Sequence, residues 1–94
     1  MRKVTNDSVM NFLNGKNCSI GNTTVQVIGN EINLLLFGIT IATKIGDKIK
    51  ITNKGYFTNT TKERLNGLPN VNIVQKQKKW FLNGKEWDGS LIEL

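Results

Sequence analysis

TTVQVIGNEINLLLFGITIATKIGDKIKIT, residues 23–52, alternates apolar and polar side chains and breaks at Gly29-Asn30, at Gly38 and at Gly46-Asp47. Alternation with period two puts every second residue on one face of a strand, and Gly beside Asn or Asp supplies turn chemistry. The pattern predicts strands over Thr24 to Ile28, Ile32 to Phe37, Ile39 to Ile45 and Ile49 to Thr52. Connections this short force neighbouring strands to run antiparallel, so the stretch reads as a meander.

Side-chain parity decides between registers at the last turn. A two-residue loop, Gly46-Asp47, pairs Ile45 with Lys48 and mixes Ile41 and Ile45 with Lys48 and Lys50 on one face. A three-residue loop, Gly46 to Lys48, pairs Ile45 with Ile49 and gathers Ile41, Ile45, Ile49 and Ile51 on one buried face. The second register, with a bulge at the turn, is the expectation. It sets Lys44 opposite Lys50, a like-charge pair that is mildly destabilising unless an anion lies nearby.

Outward from the meander, the N-terminal residues predict a helix over Asn6 to Leu13. Thr5 is its expected cap, Val4 and Val9 its hydrophobic staple, Asp7 favours the dipole, and Asn14-Gly15 stops it. A polar loop holding Cys18 follows. Beyond the meander, Thr60-Thr61-Lys62-Glu63 has capping-box spacing, and Gly67 and Pro69 end the short helix it opens. The tail predicts strands over Val71 to Gln75, Trp80 to Leu82 and Leu91 to Leu94, with a KQKK loop. A tight turn at Asn83-Gly84 sets Trp80 opposite Trp87, whereas the competing turn at Asp88-Gly89 makes residues 83–90 one longer loop. The fold class is therefore α+β: an N-terminal helix, an antiparallel meander, a second short helix and C-terminal strands in one small domain over residues 1–94. Phe12, Leu34, Leu36, Ile41, Ile49, Ile51, Leu65 and Trp80 are the expected core.

Thirteen Lys and Arg face seven Asp and Glu, for a net charge of +6, and ten of the thirteen lie from Lys44 onward. This asymmetry points to an anionic partner, with nucleic acid first. Cys18 has no second cysteine, and the chain has no His to complete a zinc site or act as an imidazole base. Glu86 and Asp88 are the one close acidic pair, too few ligands to hold a metal. No nucleophile has an evident base and no phosphate-binding glycine loop occurs, so neither a catalytic residue nor a cofactor is expected. The longest apolar run, Leu34 to Ile41, is too short to cross a bilayer, and the first residues lack a signal-peptide core. A cytoplasmic location is the resulting expectation.

The candidate site is the start of the second helix. Helix capping leaves Thr58, Asn59, Thr61, Lys62 and Arg64 without a role. Free amides, hydroxyls and two cations there suggest a phosphate cradle, with Tyr56 or Phe57 to stack on a base. Lys44, Lys48 and Lys50 on the sheet are the second expected anion contact.

GYFTNTTKERLNGLPNV at 55–71, DKIKITNKGY before it and WFLNGKEWDG at 80–89 resemble blocks found in a group of small phage and prophage proteins. The similarity covers roughly residues 34–94. It implies a viral origin, hence the cytoplasm of an infected host cell and a host nucleoprotein as a further anionic partner, and carries no assigned activity. Alternatives to nucleic-acid binding are therefore a protein-binding inhibitor of a host defence complex, similar in role to an anti-CRISPR, or a self-associating structural or nucleotide-sequestering phage protein.

Overall fold

A computed structural model describes residues 2–94. Helix α1 (Lys3–Asn14) leads into β1 (Cys18–Ile20), β2 (Thr23–Ile28), β3 (Glu31–Leu36), β4 (Ile39–Ile45) and β5 (Lys48–Ile51). Helix α2 (Asn59–Leu65) separates these from β6 (Ile73–Lys76), β7 (Lys79–Leu82), β8 (Lys85–Glu86) and β9 (Ile92–Glu93). The main sheet has the order β1-β2-β3-β4-β5-β9 and the smaller one β6-β7-β8, and every pairing is antiparallel. The chain is thus α+β, as the sequence pattern requires. One strand was unforeseen: Cys18 lies in β1, paired with Val25, because Gly21-Asn22 closes another two-residue turn.

The β4–β5 register corrects the sequence expectation. Ile45 pairs with Lys48, Lys44 with Ile49, Thr43 with Lys50 and Ala42 with Ile51, so the loop is Gly46-Asp47 alone. The bulge exists, but it sits inside β4. Leu34 pairs with Ala42 and Leu35 with Thr40, which leaves Ile41 as the extra residue. An extra residue inverts parity from that point on. Ile41 and Ala42 are both buried, whereas Ile45 turns outward and is 48% exposed. Lys44 and Lys50 therefore lie on opposite faces and do not oppose each other.

Helix α1 packs on β1 to β3, and α2 packs on α1 and β4. Their shared core contains Val9, Phe12, Val25, Leu34, Leu36, Ile41, Ile51 and Leu65, and the smaller sheet adds Ile73, Trp80, Leu82 and Trp87. Ile49 is only partly buried at its margin. The Asn83-Gly84 turn places Trp87 N–H on the Trp80 carbonyl at 2.9 Å, and the indoles lie 6.2 Å apart, as the hairpin reading requires.

Helix α1 begins earlier than its sequence suggests. Its N-cap is Arg2, without a side-chain cap bond, and Gly15 closes it in the left-handed region at φ 68°. Thr5 is fully buried inside the helix and caps nothing, and Val4, already helical, is no staple. Asp7 pairs with Lys3 one turn earlier.

Candidate functional site

The cap of α2 is Thr58, not Thr60. Thr58 has extended backbone (φ −104°, ψ 156°), and its hydroxyl accepts from the Thr61 N–H at 3.2 Å. Thr61 Oγ1 lies 3.0 Å from Thr58 Oγ1, and Thr61 is buried. Glu63 does not turn back to its own helix. Its carboxylate accepts from the Arg2 N–H at 3.3 Å, from the Thr5 hydroxyl and from Arg64, so it satisfies a free amide at the start of α1. Partial burial alone would raise the Glu63 carboxyl. The Thr5 hydroxyl, the Arg2 N–H and the Arg64 charge outweigh it and hold the carboxyl below its ordinary value.

Arg64 is the largest departure from the expected cradle. It is 2% exposed, and its donors run inward: Nε to Thr23 Oγ1 at 2.9 Å, Nη1 to Thr5 Oγ1 at 2.8 Å and to Glu63, Nη2 to Asn22 Oδ1 at 3.3 Å. A guanidinium with this set of partners is a bolt joining α1, α2 and the β1–β2 turn. It presents no donor to a solvent anion.

Lysines gather in two further places, on the main sheet and at a hairpin. Lys48 and Lys50 share the outer face of the main sheet with Thr43 and Ile45, beside Glu93, which pairs with Lys50. Lys44 is half-buried on the other face between Ile32 and Ile49. The denser group lies at the β6–β7 hairpin. Lys76 and Lys79 are direct cross-strand partners, and Lys78 sits in the turn between them. Lys62 reaches from α2 to this hairpin, its Nζ donating to Gln75 Oε1 at 3.2 Å. Glu86 is the neighbouring acid, 3.9 Å from Lys79. Both turn residues, Gln77 and Lys78, have positive φ (51° and 66°), a conformation in which non-glycine residues are uncommon. The directly opposed lysine pair anticipated on the sheet thus occurs at this hairpin instead.

The two aromatics of the candidate stretch diverge. Phe57 packs edge-on against Trp80 at 5.1 Å and stays half exposed, so it flanks the strand that carries Lys79. Tyr56 instead lines an apolar pocket of about 270 Å³ together with Phe37, Ile41, Asn53 and Thr61. Asn59 is exposed on the first turn of α2. Phe37 and Asn53 were not singled out by sequence reasoning. The one signal for Phe37 is a bulky aromatic directly before Gly38 in a turn slot that favours Asn or Asp.

Among the described residues no three His, Cys, Asp or Glu side chains gather as metal ligands; Glu86 lies 3.9 Å from Lys79, and Asp88 accepts from the Ser90 N–H at 3.0 Å. No helix among them is long and apolar enough to cross a membrane.

No curated protein and no solved structure matches the chain. The family model of the Kyanoviridae Gp96 protein matches it over residues 1–92, a span that includes the N-terminal helix as well as the blocks that resemble phage proteins. The chain therefore belongs to the Kyanoviridae Gp96 protein family, a family of small phage-encoded proteins.

Proposed function

We propose that this phage protein acts by binding rather than by catalysis, and that its basic end, Lys62, Lys76, Lys78 and Lys79, takes the phosphate backbone of a nucleic acid. The observation that carries the reading is the direct pairing of Lys76 with Lys79. Like charges facing each other across a ladder cost stability. The fold adds Lys78 in a turn of unfavourable φ and brings Lys62 in from a helix. A polyanion converts that repulsion into attraction by releasing its counterions. The half-exposed Phe57 packs on Trp80 on the inner face of the small sheet, the side on which Lys62 reaches Gln75, and offers a ring for a base as the strand passes round the hairpin from Lys76 and Lys79.

Val74 and Phe81 favour a second reading, the protein-binding inhibitor. They are paired on the outward face of the small sheet between Lys76, Lys79 and Glu86, an apolar centre with a charged rim such as protein interfaces have.

Titration against single-stranded and duplex DNA at two salt concentrations tests the first reading. Wild type should bind at low salt. Its log affinity should fall with log salt at about 0.7 to 0.9 per phosphate contact, and Lys76→Ala with Lys79→Ala should reduce that slope by up to two contacts. Absence of binding at low salt refutes the nucleic-acid reading and leaves the protein partner ahead.

A further inference from the structure

We propose that the pocket beside α2 receives one unstacked base of a single-stranded nucleic acid, an inference that rests on the backbone-binding reading above. Leu36, Ile39 and Ile41 make its apolar wall, and Phe37 and Tyr56, 70% and 52% exposed, are its two aromatics. Its volume of about 270 Å³ lies just under the range of sites for drug-sized ligands, and suits one planar ring system.

Asn53 makes the pocket more than an apolar dent. It is completely buried, yet its Nδ2 has no hydrogen-bond partner. The amide cannot simply turn over, because Oδ1 accepts from the Gly55 N–H at 2.8 Å. The backbone is pinned too, with its N–H on the Gly89 carbonyl at 3.0 Å and its carbonyl accepting from Tyr56 at 2.8 Å. A buried donor left unmatched calls for an explanation. An aliphatic side chain in the pocket would leave it unmatched. Nδ2 is sealed from solvent, so the ring nitrogens and carbonyls of a base reach it only as the wall around it parts, while the flat face of the base meets the two aromatics where they stand.

Two further observations favour this occupant. Phe37 has φ 52° and is largely exposed, so the chain places an aromatic where backbone strain is least easily borne and burial gives little in return. No acidic residue lines the pocket, and the adjoining groove, which shares Ile41 with it, is lined by Lys50 and Lys54. Tyr56 in the pocket and Phe57 on Trp80 are consecutive residues, so one dipeptide joins the pocket to the basic hairpin.

The test compares a base-bearing single-stranded hexamer with an abasic hexamer of the same backbone, each titrated against wild type and Phe37→Asn. Asn-Gly is the preferred pair for a turn with two positive φ values, so this variant removes a ring while favouring the fold. Wild type should bind the base-bearing hexamer about 5- to 150-fold more tightly, the range expected for stacking one base. Phe37→Asn should lose most of that advantage and keep its affinity for the abasic backbone. Equal affinity for the two hexamers, or an advantage that survives in Phe37→Asn, overturns the pocket assignment while leaving backbone binding intact. Failure of both hexamers to bind wild type overturns both proposals. N-acetyl-leucine amide shifting the amide resonances of Phe37 and Tyr56 where deoxynucleosides do not would overturn the base in favour of a protein side chain.

Discussion

Arg64→Ala should be among the most damaging substitutions in this protein. It deletes four side-chain hydrogen bonds, to Thr23, Thr5, Glu63 and Asn22, at a site 2% exposed. Replacing a buried ion leaves its partners behind, and Glu63 would remain as a carboxylate with its cation gone. Such losses run to about 3 to 5 kcal/mol. A domain of this size has roughly 5 to 14 kcal/mol in total, so from about a fifth to the whole of it would go. With a urea slope of about 1.5 kcal/mol/M, the midpoint should fall by about 2 M or more. The same network gives stability a pH dependence of fixed sign. The folded pKa of Glu63 is lowered, so its contribution is fully present above the ordinary value near 4.5 and is lost as pH falls through the folded pKa. Urea melts at pH 6 and pH 3 should show wild type weaker at pH 3, with part of that difference gone in Glu63→Gln. A loss below about 1 kcal/mol for Arg64→Ala would refute the bolt, and would return Arg64 to the set of residues open to a ligand.

Thr58→Ala should lower stability by about 1 kcal/mol through loss of the α2 cap, while Thr60→Ala, whose hydroxyl does not cap, should stay within about 0.5 kcal/mol; paired denaturation curves separate them. Gly89→Ala should unfold the protein at lower denaturant or prevent folding, because a Cβ there would lie 2.1 Å from Asn53 Oδ1 and φ is 86°. Trp80→Ala removes a 2% exposed indole and the ring partner of Phe57 and Trp87, and should cost about 3 to 5 kcal/mol by thermal or urea melting.

The strand order of the meander was legible because each turn carries its own residue signal, and alternation fixes the face once the turn is known. The register of β4–β5 was not. A bulge has no signature of its own in ITIATKI, where the buried face passes from Ile41 to Ala42 and then to the half-buried Lys44, so parity counted through Ile41 gives the wrong face for Ile45. The roles within FTNTTKER were misread for a similar reason. Thr58, Thr60 and Thr61 are all competent caps locally, and only the tertiary pull of Arg2 and Thr5 on Glu63 decides which is used. Arg64 reads as a surface cation in sequence because nothing local reveals that Asn22, Thr23 and Thr5 converge on it. Lys62 is half-buried, and its Nζ reaches Gln75 of the Lys76 to Lys79 hairpin rather than a group at the helix start.

The pairing of Lys76 with Lys79 is most directly tested by measuring stability and DNA affinity on one variant, Lys76→Glu. The new carboxylate faces Lys79 across the ladder, so the hairpin should gain a few tenths of a kcal/mol and the melting temperature should rise slightly. Affinity for single-stranded DNA at low salt should fall by at least tenfold, and its salt slope should flatten. Stability that rises while affinity stays unchanged would contradict the account, since the repulsion would then serve no anion.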